Sequence, residues 1–258
     1  MNQAGGPTKI SIRGLHKAFG AKKVLQGVDL EVPEGSSTVI MGGSGAGKSV
    51  LLKHVIGLLR PDAGEVLVDG GDIGHLHEGD LNTVRRQFGM SFQEGALFDS
   101  MSVFDNIAFP LRRHSGLDPD GVAERVRECL RIVNLHDVEG KMPAELSGGM
   151  RRRVGFARAI ALKPRILLFD EPTTGLDPVM TALIADTIRA LTEDETVTAL
   201  TITHDLQAAY AIADRIAMIF QGRIVFCGPP EAFQTNTDPV VEQFRTSNPI
   251  GPWTEAEL

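Results

Sequence analysis

Strand-like and helical segments alternate along most of this chain. Residues 8–33 carry alternating apolar and polar positions in KISIRGL and KVLQGVDLEV, which predicts short strands that end near Pro33 and Gly35. The apolar run STVIM at 37–41 then breaks into glycines and resumes as a helical pattern, SVLLKHVIGLL. We therefore expect a strand, a loop and a helix in direct succession at this point.

Strand patterns return in the second half of the chain. RILLFD covers 165–170, TALTIT covers 198–203, and RIAMIF and RIVFCG flank a turn at 221–222. Helical patterns at 179–191 and 205–213 separate the first three of these strands. Apolar strands that alternate with helices form a parallel sheet covered on both faces, so the predicted fold class is α/β.

We expect one domain, residues 1–258, built from three regions. Residues 8–95 and 161–234 are predicted to form an α/β core with an antiparallel β patch near the N-terminus, and residues 96–160 a helical insertion. Residues 235–258 are rich in Pro, Asn and acidic residues and are predicted to form a C-terminal extension.

Two interpretations of the C-terminal extension stay open. It contains the only tryptophan, Trp253, and its composition is that of an extended arm. Val240, Val241 and Phe244, however, fall at i, i+1 and i+4 and are able to bury one face. This spacing favours an arm that contacts a second copy of the chain.

Composition and charge exclude several classes of protein. The 258 residues include 26 Lys and Arg against 33 Asp and Glu, a formal net charge of −7 that disfavours a nucleic-acid-binding surface. No apolar run approaches the roughly 18 to 20 residues needed to cross a bilayer, and MNQAGGPTK lacks the pattern of a secretory signal. Cys129 and Cys227 lie too far apart for a metal motif and are expected to act as small apolar residues. These features favour a cytoplasmic protein without a membrane span.

A glycine-rich loop follows the first apolar strand, in a chain with 28 glycines. Its sequence GGSGAGKS matches the phosphate-loop pattern G-x-x-x-x-G-K-[ST] between a strand and a helix, the context that this pattern requires. Glycines let backbone N–H groups curl around phosphates, and the helix N-terminus adds a favourable dipole. We expect Lys48 to reach the β- and γ-phosphates of ATP and Ser49 to ligate Mg²⁺. The predicted nucleotide-binding residues here are Gly42, Gly43, Ser44, Gly45, Ala46, Gly47, Lys48, Ser49 and Val50.

Acidic residues end a second apolar strand, where Asp170 and Glu171 follow ILLF. Strands of such a sheet deliver their C-terminal residues to one edge, so both carboxylates are expected beside the phosphate loop. Asp170 is then placed to hold Mg²⁺ through water, and Glu171 to polarise an attacking water. His204 follows TALTIT and is expected at the same edge, where a strand-end histidine is either functional or merely exposed.

A second anion site is predicted at LSGGM, far along the chain from the first. Ser147 is a candidate N-cap of a helix that runs to about Leu162, and Gly148 and Gly149 leave N–H groups accessible at its start. One molecule has no evident need for two phosphate cradles. Two copies that face each other head to tail would each supply the phosphate loop to one ATP and the SGG helix start to the other.

Together these motifs resemble the ATP-binding subunits of ABC (ATP-binding cassette) transporters. The resemblance extends from about residue 8 to 230, with a glutamine loop at Gln93, the LSGGM signature, a D-loop GLD at 175–177 and a switch histidine in THD. It implies a P-loop NTPase (RecA-like) core with an N-terminal antiparallel β subdomain and an inserted α-helical subdomain. It also implies ATP and Mg²⁺ as cofactors, and ATP hydrolysis coupled to transport.

The resemblance also implies roles for individual residues. Phe19 in KAFG takes the place of the family's adenine-stacking aromatic, and Gln93 contacts nucleotide-bound Mg²⁺. Glu171 is the general base, His204 contacts the γ-phosphate, and Asp177 spans a dimer interface. The signature ends in Met150 where Gln is usual, which puts in doubt a polar contact by that side chain.

A narrower resemblance concerns the segment FQEGALFDSMSVFDNIAFPLR and the RRR that follows LSGGM. Both are similar to the ATPase subunits of MCE-type lipid transporters, best known from the Mla system of Gram-negative bacteria. The similarity implies phospholipid transport between the inner and outer membranes, powered from the cytoplasmic face of the inner membrane. Its implied partners are a second copy of the chain, an integral membrane permease, an MCE-domain protein and a small STAS-domain protein, with no nucleic acid.

The same segment follows the glutamine loop, where the family's subunits receive the permease. Two interpretations are open for the apolar residues of this segment: they line a docking groove for the permease, or they belong to an ordinary core at helical spacing. These residues are Leu97, Phe98, Met101, Val103 and Phe104.

Other function classes fit the motifs less well. A soluble ABC ATPase that acts on DNA or the ribosome commonly carries two cassettes, zinc modules or long coiled coils, none of which is evident here. A generic P-loop kinase or GTPase does not explain LSGGM together with GLD and His204. Within transporters, the alternative is the ATPase of an importer or lipoprotein-release system with a different cargo.

Overall fold

The structure is a computed structural model that describes residues 7–92, 95–193 and 197–255. Its strands are β1 (Thr8–Phe19), β2 (Lys22–Pro33), β3 (Ser37–Met41), β4 (Ala63–Val68), β5 (Gly71–Asp72), β6 (Phe88–Ser91), β7 (Ile166–Asp170), β8 (Thr198–Thr203), β9 (Arg215–Phe220) and β10 (Arg223–Gly228). Its helices are α1 (Lys48–Val55), α2 (Glu78–Arg85), α3 (Val103–His114), α4 (Pro119–Ile132), α5 (Gly148–Ala159), α6 (Pro178–Thr192), α7 (Leu206–Ile212), α8 (Pro230–Gln234), α9 (Pro239–Thr246) and α10 (Pro252–Glu255).

Two sheets organise these elements. The larger has six strands in the order β10-β9-β3-β8-β7-β6, in which β10 is antiparallel to β9 and the other pairs are parallel. The smaller is antiparallel, in the order β2-β1-β4-β5. The α/β fold class predicted from the sequence is confirmed, and so is the antiparallel patch near the N-terminus.

Both faces of the six-stranded sheet are covered. Side chains alternate along each strand, so Leu167 and Phe169 face a cluster shared with α5 and α6, whereas Ile166 and Leu168 face a cluster shared with α1 and the smaller sheet. Phe156 of α5 stacks on Phe169 with ring centroids 4.4 Å apart. This burial on both faces explains why the strands of the larger sheet read as continuous apolar runs.

Some local predictions were wrong. The helix after the glycine loop ends at Val55, well before the predicted end at 59, because Gly57 adopts φ +66° and terminates it. The sequence pattern also missed α2 and β6. Helix α2 buries only Leu81, and β6 is a four-residue edge strand, so neither carries a clear periodic signal.

The expectation of an extended arm after residue 235 is also wrong. Of the described residues that follow 235, 239–246 form α9 and 252–255 form α10, and Val241, Phe244 and Trp253 pack against the core of the same chain. Val241 is fully buried and Phe244 partly buried, so the spacing correctly marked a buried face, although the chain itself covers it here. In the described ranges, no helix is both long and apolar enough to cross a membrane.

Helix α5 is fastened to the backbone of residues 95–96. Arg158 donates from Nη2 to the carbonyl oxygens of Gly95 and Ala96, both at 2.9 Å. One turn earlier, Gly155 lies so near that a Cβ there would be 2.7 Å from Gly95 Cα. Helix and loop are therefore held together by a close backbone approach and a two-pronged hydrogen bond.

We expect Gly155→Ala to lower the free energy of unfolding by about 1–3 kcal/mol, because the added methyl group must displace backbone at Gly95. Gly79→Ala is the matched control: Gly79 is also helical, and a Cβ there meets no atom within 4 Å. Denaturant unfolding followed by circular dichroism measures both. Equal stability of the Gly155→Ala and Gly79→Ala proteins would contradict the tight contact.

Candidate functional site

The glycine loop joins β3 to α1 at the carboxyl edge of the larger sheet. Gly45 and Gly47 adopt φ +75° and +103°, which residues with a Cβ rarely accept. Gly42 approaches β9 so closely that a Cβ would be 2.5 Å from the carbonyl oxygen of Ile219. Gly47 is the residue before the helix, so the first turn of α1 presents backbone N–H groups to an anion.

Lys48 turns back over this loop and is only 8% exposed. Its Nζ donates to the carbonyl oxygens of Gly42, at 2.7 Å, and Gly43, at 3.0 Å, and lies 3.6 Å from Glu171 Oε1. Burial lowers the pKa of Lys48, and the nearby carboxylate of Glu171 opposes that shift. The ammonium group of Lys48 is therefore held against the loop by two backbone carbonyl oxygens.

Glu171 lies at the centre of a small polar cluster. Its Oε2 accepts a hydrogen bond from Thr174 Oγ1 at 2.9 Å and lies 2.9 Å from His204 Nδ1. Its own backbone is held at φ +50°, unusual for a residue with a side chain, while its N–H donates to Ile202. The expectation that His204 and Glu171 emerge at one sheet edge is correct.

Asp170 lies beside Ser49, with Ser49 Oγ 3.5 Å from Asp170 Oδ1. Burial, then the charge of Glu171, raises the pKa of Asp170. A hydroxyl and a carboxylate are hard oxygen donors of the kind that Mg²⁺ takes together with water and substrate phosphates. Within the described ranges, no group of three or more His, Cys, Asp or Glu side chains forms a separate metal cage. The donors present therefore fit a Mg²⁺ ion that a bound nucleotide helps to hold.

These groups line an open cavity of about 1140 Å³. Phe19, 49% exposed, stands at its wall with Lys17 Nζ 5.7 Å from its ring centroid. The predicted residues that line the cavity are Phe19, Gly43, Ser44, Gly45, Gly47, Lys48, Ser49, Val50, Asp170, Glu171 and His204. Gly42 and Ala46 lie behind the lining, where Gly42 accepts from Lys48 and Ala46 packs against the core.

The signature and D-loop residues lie elsewhere. Ser147 caps α5 by accepting from the N–H of Met150 at 3.2 Å, and Gly148 and Gly149 follow it. Asp177 caps α6 by accepting from the N–H groups of residues 179 and 180. The described residues that line the cavity do not include Ser147, Gly148, Gly149 or Asp177. Gln93 lies outside the described residues.

Several cavity residues escaped sequence reasoning. Gln243, Phe244, Ser247, Asn248, Trp253 and Thr254 of the C-terminal region line the same cavity. Thr174, which holds Glu171, also went unnoticed. The available signals were a lone tryptophan in a polar tail and the spacing of Val240, Val241 and Phe244, and neither reveals which distant surface these side chains contact.

Fold and site together define a P-loop nucleoside triphosphatase. A family model described as "ABC transporter" matches residues 25–174, more than half of the chain. The chain therefore belongs to the ABC transporter family, as an ATP-hydrolysing, nucleotide-binding subunit.

Curated relatives match nearly the whole chain. It is 44% identical over 243 residues to the "probable ribonucleotide transport ATP-binding protein mkl" of Mycobacterium leprae, covering 94% of this chain and 70% of that protein. It is 40% identical over 243 residues to the "intermembrane phospholipid transport system ATP-binding protein MlaF" of Escherichia coli K12, covering 94% and 90%. The "protein trigalactosyldiacylglycerol 3, chloroplastic" of Arabidopsis thaliana is 37% identical over 260 residues, covering 94% and 75%.

Solved ABC cassettes share the fold. The ATP-binding cassette MJ0796, described as a dimer in a post-hydrolysis state bound to ADP and Pi, matches with a TM-score of 0.80 and 30% identity. The match covers 86% of this chain and 98% of that one. It confirms the P-loop fold with an antiparallel β subdomain.

We expect Asp170→Asn to raise the melting temperature of the nucleotide-free protein. The raised pKa of Asp170 means that the fold disfavours its charge, whereas Asn is neutral and keeps an oxygen for the Ser49 hydroxyl. Asp186→Asn, at an exposed position on α6, is the control and should leave the melting temperature unchanged. A lower melting temperature for Asp170→Asn, measured by calorimetry at pH 7, would contradict this electrostatic picture.

Proposed function

We propose that this chain is the ATP-hydrolysing subunit of an ABC transporter that moves phospholipid between inner and outer membranes. It works as a dimer on an integral membrane permease, at the cytoplasmic face of the inner membrane. The observation that carries the enzymatic part is the position of Glu171, which lies between Lys48 and His204 at an open cavity. Similarity to MlaF over nearly the full length of both chains supports the cargo.

ATP is proposed to bind with its adenine on Phe19, where stacking adds about 0.5–1.5 kcal/mol beyond area burial. Lys48 exchanges its two carbonyl partners for the β- and γ-phosphates, a stronger pairing because the acceptor is then charged as well as the donor. The backbone N–H groups of residues 43–50 surround the phosphates. Ser49, Asp170 and, by the family pattern, Gln93 hold Mg²⁺, which supplies charge neutralisation when it is bound.

Glu171 is proposed as the general base. It takes a proton from water as the water oxygen bonds to the γ-phosphorus and the bond to the β–γ bridging oxygen breaks, releasing ADP. Thr174 and His204 orient its carboxylate, and His204 also contacts the γ-phosphate. Lys48 stabilises charge that develops on the transferred group.

The signature residues are proposed to act on the ATP of a partner copy. Ser147, Gly148 and Gly149 stand at the start of α5, away from their own cavity, and Asp177 starts α6. A second copy facing the first brings this helix start to the nucleotide, as the dimeric state of the MJ0796 cassette suggests by analogy. Closure of the dimer on ATP, and reopening after hydrolysis, moves the permease.

The permease is proposed to dock beside α3. Val103 is buried, and Leu97 and Phe104 pack partly against the core, which matches the ordinary-core alternative for these three. Phe98 is 44% exposed and Met101 half-buried. A depression of about 520 Å³ adjoins them, lined by Met101, Asp105, Phe109, Arg112 and Arg113.

The names of the relatives leave two cargoes in competition. MlaF is named for phospholipid transport, whereas the mycobacterial relative is named for ribonucleotide transport. We favour phospholipid because the plant relative is also named for a lipid, which makes two of these three names lipid-related. An importer or lipoprotein-release system remains the alternative from within the same family.

We expect Glu171→Gln to lower the ATPase rate by about 100- to 10,000-fold, because the water loses its general base. ATP affinity should change little, since the phosphate contacts stay, and the ATP-bound variant should accumulate as a dimer. Phosphate release, equilibrium ATP binding and size-exclusion chromatography with ATP measure these outcomes.

Glu65→Gln, at an exposed position on β4, is the matched control and should keep normal turnover. Near-normal ATPase activity in purified Glu171→Gln would remove Glu171 from the mechanism.

Co-purification from detergent-extracted membranes tests the cargo and partners. We expect a permease, an MCE-domain protein and a small STAS-domain protein to accompany the tagged chain. Phe98→Asp should reduce their recovery, whereas Leu117→Asp, at a residue with a similar exposure of 48%, should not. A periplasmic amino-acid- or sugar-binding protein in place of the MCE-domain protein would overturn the lipid assignment.

A further inference from the structure

The C-terminal region reaches the phosphate loop through one aromatic ring. A Cβ placed on Gly43 would lie 2.8 Å from Trp253 Cζ3 and 3.2 Å from Cε3. Gly43 does not adopt a positive φ, so its backbone conformation alone does not demand glycine. The space beside this loop residue is restricted by Trp253 itself.

The ring is held from several directions. Its centroid lies 4.5 Å from that of Phe220, at the end of β9, and 5.3 Å from that of Phe244 on α9. The indole Nε1 donates to the carbonyl oxygen of Val240 at 2.9 Å. Trp253 is therefore clamped between the sheet edge, the phosphate loop and helix α9.

Gln243 fixes the turn that carries this tryptophan. Its side chain is buried, with 6% of the residue exposed. Its Oε1 accepts from the backbone N–H of Trp253 at 2.8 Å, and its Nε2 donates to the carbonyl oxygen of Asn248 at 3.1 Å. A buried amide with both ends bonded indicates a specific docked structure for residues 243–254.

Gly43 connects this docked segment to the phosphate-binding lysine. The carbonyl oxygen of Gly43 accepts a hydrogen bond from Lys48 Nζ at 3.0 Å, and the Cα of the same residue faces the indole of Trp253. Trp253 also lines the cavity that Lys48 lines. A shift of the ring would therefore free the loop segment that carries one of the two carbonyl partners of Lys48.

We propose that Trp253 is a positioning residue for ATP binding, which acts by packing on Gly43 and holding the phosphate loop in its binding conformation. This inference rests on the proposed nucleotide site. The residue makes the loop more rigid before ATP arrives, so less conformational entropy is lost on binding. Glu171 and His204 make no described hydrogen bond that depends on Trp253. Lys48 is bonded to Gly43 only until ATP arrives, because in the proposed complex it exchanges this carbonyl for phosphate.

Steady-state ATPase kinetics of the full-length chain test the role. Trp253→Ala should raise KM for ATP about ten-fold, the effect of losing the pre-ordering of about one loop residue, while kcat stays within about two-fold. Trp253→Phe should restore part of the affinity, because it keeps a smaller aromatic ring at this position but not the Nε1 hydrogen bond. Ile250→Ala, in the same segment and 78% exposed, is the control and should match the wild type.

A double-mutant cycle tests the contact itself. Gly43→Ala should weaken ATP binding in the wild-type background, because its methyl group collides with the indole. In the Trp253→Ala background, Gly43→Ala should weaken ATP binding much less, since the ring that the methyl group would meet is gone. Additive effects of the two substitutions would overturn the proposal.

Trp253 is the only tryptophan, so its fluorescence reports on this contact directly. ATP should change the emission even at protein concentrations at which the chain stays monomeric. No change, or a change that appears only when the dimer forms, would overturn the docking on the chain's own loop. Failure of the wild type to bind ATP would instead overturn the proposed function, whereas normal ATP binding with unaltered Trp253→Ala kinetics would overturn only this inference.

Discussion

The parallel register of three neighbouring strands is the constraint on which the site depends. β3, β8 and β7 lie side by side, with Met41 opposite Thr203 and Asp170 opposite Ile202, so their following residues leave the sheet at one edge. Because these strands are buried on both faces, a slip by one residue would exchange the side chains that face the two halves of the core. The packing of the core thereby brings Lys48 and Glu171 within 3.6 Å of each other.

That arrangement carries a cost in stability. Lys48 is buried, Asp170 is held where its charge is disfavoured, and Glu171 adopts a backbone conformation that residues with a side chain seldom take. The carbonyl oxygens of Gly42 and Gly43 partly offset the cost of burying the lysine by accepting hydrogen bonds from its ammonium group. A polyphosphate with Mg²⁺ offers the lysine stronger partners and the carboxylates a counter-charge, so the features that weaken the empty fold are those that favour the nucleotide.

Sequence reasoning succeeded where the determinants are local or follow from strand order. The phosphate loop, the acidic end of β7, the histidine after β8 and the cap at Ser147 all follow from patterns a few residues long. It failed where the determinant is a contact between distant segments. Nothing near Trp253 in the sequence indicates that its ring packs on Gly43, and the short edge strand β6 depends on its pairing with β7. The helix after the loop was overextended because apolar periodicity continued past Gly57.

The two halves of the proposed composite site are linked inside one chain. The signature residues start α5, and the same helix grips residues 95 and 96 through Arg158 and the close approach of Gly155. Those two residues directly follow the glutamine loop, which the family pattern assigns to the chain's own nucleotide. A displacement of residues 95 and 96 must therefore move α5 with them or break two hydrogen bonds and a backbone contact. The helix start that is proposed to serve a partner's ATP is in this way joined by packing to the residues that follow Gln93 in the sequence.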